Sequence, residues 1–123
     1  MDQFRKNIHQ GRVDASKVEI VPGWYNETLN NETKNKILLK KVAIVWVDCD
    51  LYESTVPVLN FITDYIQDGT ILIFDDWFCF NGNPRYGEQK AFGEWLVNNL
   101  QISITEYHKF GWHGNSFIVN LNQ

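Results

Sequence analysis

Cysteine is scarce in this 123-residue chain: only Cys49 and Cys79 are present, and not in C-x-x-C spacing. That excludes a disulfide framework and argues against a cysteine-built zinc site. Basic residues are outnumbered, with 11 Lys and Arg against 15 Asp and Glu for a net charge of −4. No basic face of the size a phosphate backbone demands can be assembled, so nucleic acid is not expected as a partner. Long hydrophobic runs are missing too. None approaches the roughly 20 apolar residues that cross a bilayer, and the N-terminal MDQFRKN has no apolar signal-peptide core. The chain therefore reads as cytoplasmic and without a membrane partner, which makes the sequons at Asn26 and Asn31 chance matches. Glycine-rich loops are absent as well, since the first glycine is Gly11 and no G-x-G occurs.

What is present is a hydrophobic fraction of 44% with no low-complexity tract, enough for a real core in a chain this long. No linker divides the sequence, so residues 1–123 are expected to form a single domain. Phe4 to Gln10 predicts a short helix ended by Gly11. "KVEIV", Lys17 to Val21, alternates like a strand before Pro22-Gly23 breaks it, and the polar stretch Asn30 to Lys36 reads as a loop or a helical turn.

The pattern then becomes regular. Val42 to Val47 is apolar throughout, as in a parallel strand covered on both faces. Val56 to Gln67 carries a helical apolar stripe, with Ser54 or Thr55 as the cap and Pro57 in the first turn. Thr70 to Phe74 is a second buried strand, and about Glu88 to Asn98 a second helix. Ile102 to Lys109 and Ser116 to Leu121 close the chain as an antiparallel hairpin. Strand, helix, strand, helix predicts an α/β fold, mostly parallel with an antiparallel end and helices on both faces.

Both buried strands end in acids. Asp48 and Asp50 leave the first, Asp75 and Asp76 the second, and ligands of open parallel sheets bind beyond the carboxyl ends of the strands. Neighbouring strands lie about 4.8 Å apart, so up to four carboxylates would converge there. Like charges so close disfavour one another, and only Arg85 and Lys90 are basic nearby in sequence. A divalent cation resolves the conflict. Oxygen-only ligation suits Mg²⁺ or a similar hard ion rather than zinc. Consecutive Asp75 and Asp76 can both take part only if the strand ends there. Acids at a rim also cap helices or simply meet water, which is the plainer account of each one alone. Glu53 reads as a solvated first-turn acid. His9, His108 and His113 form no ligand spacing, although His113 in a turn could reach the site. Trp77, Phe78, Phe80 and Trp112 fit either the wall of a pocket for a flat ligand or core packing or a subunit contact, and Cys49 is given no chemistry.

The segments "VDCDLYEST", "GTILIFDDW" and "GEQKAFGEWL", preceded by "VEIVPGWYNETL", resemble the C-terminal part of the macrocin O-methyltransferase family, over about Phe4 to Leu96. The resemblance implies a partial Rossmann-like sheet, S-adenosylmethionine as methyl donor in the complete protein, Mg²⁺ or a similar cation, and a small-molecule acceptor such as a sugar hydroxyl or a phenol. It also implies that Asp48, Asp75 and Asp76 hold the metal and that Asp50 is the general base. The pattern departs from the family at the start, where the glycine loop that contacts the cofactor has no counterpart, so the chain reads as a fragment inactive alone. In the complete fold the strand order is three, two, one, four, five, seven, six. "KVEIV" would correspond to strand three, so that it either pairs directly with "VAIVWVD" or leaves that edge to be buried in a homo-oligomer.

Two other readings remain beside this one. A non-enzymatic module that binds divalent metal, or acts through its interactions, would keep the acids without the cofactor loop. A magnesium-dependent phosphatase of the haloacid dehalogenase type would want Thr or Val where Tyr52 stands, and a Lys between Asn60 and Phe74, where there is none.

Overall fold

The structure, a computed structural model, describes residues 2–122. Two compact units divide at Leu38 and Leu39. In the first, helix α1 (Asp2–Gln10) ends at Gly11, whose N–H returns to the Asn7 carbonyl at 2.8 Å. The predicted strand "KVEIV" does not form. Ala15–Lys17 is a 3₁₀ turn instead, capped by Asp14, whose Oδ1 accepts from both the N–H and the hydroxyl of Ser16. The residues after it join no sheet. Alternation alone makes a segment compatible with a sheet, but a strand needs a partner ladder for its backbone groups. Helix α2 (Tyr25–Thr28) and helix α3 (Asn31–Ile37) follow. The stretch read as a loop or turn is thus a helix, because the Asn30 side chain caps the Thr33 N–H at 3.0 Å.

The second unit holds a four-stranded sheet of β1 (Ile44–Val47), β2 (Ile71–Phe74), β3 (Ile102–Phe110) and β4 (Gly114–Leu121), in the order β1-β2-β4-β3. The first pair is parallel, as the apolar runs predict, and the other two are antiparallel, the terminal hairpin among them, so the sheet is mixed rather than mostly parallel. Strand β1 is not covered on both faces as expected, since Ile44 and Trp46 are exposed. Central β2 carries Leu72 and Phe74, both at 0% exposure. Phe74 meets Trp77, Phe92 and Phe117 at ring separations of 5.0 to 6.1 Å, in the tilted arrangements aromatic quadrupoles favour.

Helix α4 (Tyr52–Ile62) starts earlier than predicted. Leu51 takes the cap position, Ser54 and Thr55 fall inside, and Pro57 lies within the helix rather than in its first turn. The Thr55 hydroxyl donates to the Leu51 carbonyl at 2.8 Å, which anchors that start. Helix α5 (Gly87–Asn98) packs against α4, and the Trp95 indole N–H donates to the Thr63 hydroxyl at 2.8 Å. Register between β1 and β2 is fixed at their entry by Thr70, fully buried, which donates to the Val42 carbonyl at 2.7 Å and accepts from the Gln67 N–H at 3.0 Å. Among the described residues no helix is long and apolar enough to cross a membrane.

Candidate metal centre

Parallel pairing sets Val47 level with Phe74, so the next residues, Asp48 and Asp75, leave the sheet side by side. The ladder extends one step further, because the Asp75 N–H donates to the Val47 carbonyl at 3.0 Å. Directly afterwards the backbone turns, and this ends the alternation that would have sent Asp76 to the opposite face. Carboxylate oxygens of Asp48, Asp75 and Asp76 consequently all lie within 4.8 Å of one another. Asp48 is exposed and the other two are half-buried.

Asp50 joins from the β1 side. Its backbone is left-handed, φ 57°, in a tight turn where the Leu51 N–H donates to the Cys49 carbonyl at 2.5 Å. There its carboxyl shares a hydrogen bond with that of Asp76, which raises its pKa above the usual carboxylate range, with the Asp76 charge as the second cause. Two carboxylates in this relation need a proton or a cation between them. All four acids singled out from sequence therefore meet at one edge.

Residues that the sequence patterns do not single out complete the site. Glu88, on the first turn of α5, is 1% exposed. Its Oε2 accepts from the Asp76 N–H at 3.2 Å, and its Oε1 is buried without a hydrogen-bond partner. Burial pushes its pKa up to about 8, with the Asp76 charge second, while the backbone N–H groups of Asp76 and Cys49 pull the other way. Gly87 precedes it at φ 54°, and a Cβ there would stand 2.7 Å from the Phe80 ring and 3.1 Å from the Asp50 carbonyl oxygen. Only glycine lets the helix start this close to the Asp50 turn. Cys79 donates its thiol to Asp76 Oδ1 at 3.3 Å, and burial together with that contact raises its pKa to about 11.

The aromatics named above have different surroundings. Trp77 is packed among Phe74, Phe92 and Phe117, Phe78 lies beneath the Lys109 ammonium, and Trp112 is 93% exposed. Phe80 alone of these lines a cavity of about 280 Å³ beside Asp50, with Leu51, Tyr52, Arg85, Tyr86 and Lys90. His113 contributes its backbone carbonyl, which accepts from the Phe78 N–H at 2.8 Å.

A parallel pair with an antiparallel hairpin beyond it, in the order β1-β2-β4-β3, agrees with the order four, five, seven, six that the resemblance to a Rossmann-like methyltransferase implies. The chain belongs to the macrocin-O-methyltransferase (TylF) family, which it matches over residues 1–91. It is 29% identical, over 77 residues, to the 8-demethyl-8-(2,3-dimethoxy-alpha-L-rhamnosyl)-tetracenomycin-C 4'-O-methyltransferase of Streptomyces olivaceus, a match covering 63% of this chain and 28% of that protein. Its fold is that of the O-methyltransferase NovP, with a TM-score of 0.73 at 20% identity over 95% of this chain and 43% of NovP. It is also similar to CalS11, a TDP-rhamnose 3'-O-methyltransferase, with a TM-score of 0.56 at 24% identity over 78% of this chain and 38% of that one. The chain thus spans less than half the length of these proteins.

Proposed function

We propose that this chain carries the metal-holding and proton-accepting edge of an O-methyltransferase that moves a methyl group from S-adenosylmethionine to a hydroxyl of a sugar or phenolic small molecule. The single observation that carries the reading is the meeting of Asp48, Asp75 and Asp76 within 4.8 Å, with Asp50 touching Asp76. The donor set fits a hard divalent cation such as Mg²⁺, because it consists of carboxylate oxygens and is open enough for water to complete the shell. Bound there, the cation would supply positive charge that stabilises an acceptor oxyanion.

The remaining roles fall to the chain's own groups. Asp50 takes the proton from the acceptor hydroxyl, a group too weakly acidic to ionise at neutral pH unaided. The cavity beside Asp50 is where the acceptor would be held, with Phe80 and Tyr86 offering ring surface to it. Transfer then requires acceptor oxygen, methyl carbon and sulfur in line. We assign no residue of this chain to the methyl donor. The sugar in the acceptor class follows from the rhamnose named for two of the similar proteins.

Calorimetric titration of the chain with MgCl₂ tests the reading. The expected result is one site per chain whose affinity falls at least about 10-fold in Asp75→Asn, as loss of a charged ligand should cause. Equal titration curves for the two proteins would remove the metal from the function.

A further inference from the structure

Glu88 has no evident reason to be inside the protein. A glutamate in the first turn of a helix satisfies the helix dipole equally well from the solvent side, and burying a carboxyl with one oxygen unpartnered is costly. Yet Glu88 is 1% exposed, its Oε1 meets no hydrogen-bond partner, and its Oε2 accepts from the Asp76 N–H at 3.2 Å. The chain accommodates this by placing at Gly87 the residue that can adopt φ 54° while leaving room for the Phe80 ring and the Asp50 carbonyl. The first turn of α5 is thereby pressed between the two acid-bearing turns. It reaches the Asp50 turn through Gly87 and the Asp76 turn through Glu88.

The Asp76 N–H has no place in the β1-β2 ladder, whose last bond is the one from Asp75 to Val47. Without Glu88 that amide would be an unsatisfied donor in a half-buried turn. The direction in which the Asp76 carboxylate leaves the backbone depends on how this peptide is held. We propose that Glu88 is a positioning residue for the divalent-cation site: its carboxyl holds the Asp76 backbone N–H and so keeps the Asp76 side chain gathered with those of Asp48 and Asp75. The role rests on the functional reading above and adds to it a supporting acid that ligates nothing, since partners behind the ligands of a metal centre govern its affinity.

Titration of the full chain with MnCl₂, by calorimetry and by the quenching of the Mn²⁺ electron-spin resonance signal on binding, decides the matter in wild type, Glu88→Gln and Glu88→Met. Gln keeps a carbonyl oxygen where the Asp76 N–H needs one and is expected to bind Mn²⁺ within about 3-fold of wild type. Met has similar length and no acceptor. It is expected to bind about 10- to 100-fold more weakly while its circular dichroism stays that of a folded chain, and the Asp76 amide should exchange faster with solvent than in wild type. A Met variant with wild-type affinity overturns the proposal and leaves the metal reading standing. Absence of Mn²⁺ binding in wild type overturns both. Should the Met variant fail to fold, Glu88→Asp keeps the carboxyl group but withdraws it by one methylene. It is expected to show the same loss, and wild-type affinity there is equally fatal to the proposal.

Discussion

At Asp50 the backbone takes a left-handed conformation that non-glycine residues adopt at a cost, and the carboxyl so presented meets that of Asp76. Strain of this kind persists where the surroundings dictate it, and here Gly87 approaches closely enough that a Cβ on it would stand 3.1 Å from the Asp50 carbonyl oxygen. The residue most sensitive to pH is Glu88. Burial first, then the charges of Asp76 and Asp50, raise its pKa from 4.5 to about 8. An acid held protonated in the folded chain and ionised in the unfolded one makes unfolding release a proton. The contribution of Glu88 to folding stability is therefore full below about pH 4.5 and declines as pH rises towards 8, by at most about 1.4 kcal/mol per pH unit. Urea denaturation of the metal-free chain, with chelator present, is expected to show that decline, and Glu88→Gln to flatten it over this interval. Equal slopes would mean that Glu88 ionises in the folded chain as freely as in water. The four aspartates were legible in the sequence because each pair ends an unbroken apolar run of strand length. Glu88 was not, because an acid opening an amphipathic helix ordinarily faces solvent. The small signal available was the glycine immediately before it, at a place where helices rarely need one.

At the scale of elements, β1 and β2 were legible because unbroken apolar runs of strand length, bounded by acids and turn residues, fit little else. "KVEIV" shows the limit of periodicity, which describes a surface without naming what covers it. The start of α4 was misplaced because Ser54 and Thr55 are good caps by chemistry, whereas the Asp50 turn had already set the chain on a helical course at Leu51. The start of α5 is the element boundary on which the site depends. Gly87→Ala is expected to destabilise the chain by about 1–2 kcal/mol from the left-handed backbone alone, with more from the 2.7 Å approach to Phe80. Denaturant melts of the two proteins would measure it. No change would mean that α5 can begin one residue later without disturbing the Asp50 turn.

For the molecule as a whole, the four-stranded sheet has two border strands, β3 and β1, and among the described residues the outer backbone groups of β1 have no strand partner. Ile44 and Trp46 on that strand are 60% and 58% exposed. A border of this kind templates pairing with another chain unless it is charged or covered. Copies of this chain are expected to associate through β1. Sedimentation at roughly 10–100 µM should give a dimer, and Ile44→Lys, which charges the border, should shift it to monomer; a monomeric wild type at every concentration would rule the association out. The same sheet has its alignment secured far from its chemistry. The buried Thr70 hydroxyl ties the entrance of β2 to Val42, while the acids emerge at the opposite end, beyond Val47 and Phe74. Sliding β1 back by a single position would set Asp48 against the Phe74 ring instead of Asp75, so the gathering of these acids is inherited from a threonine at the far end of the strands.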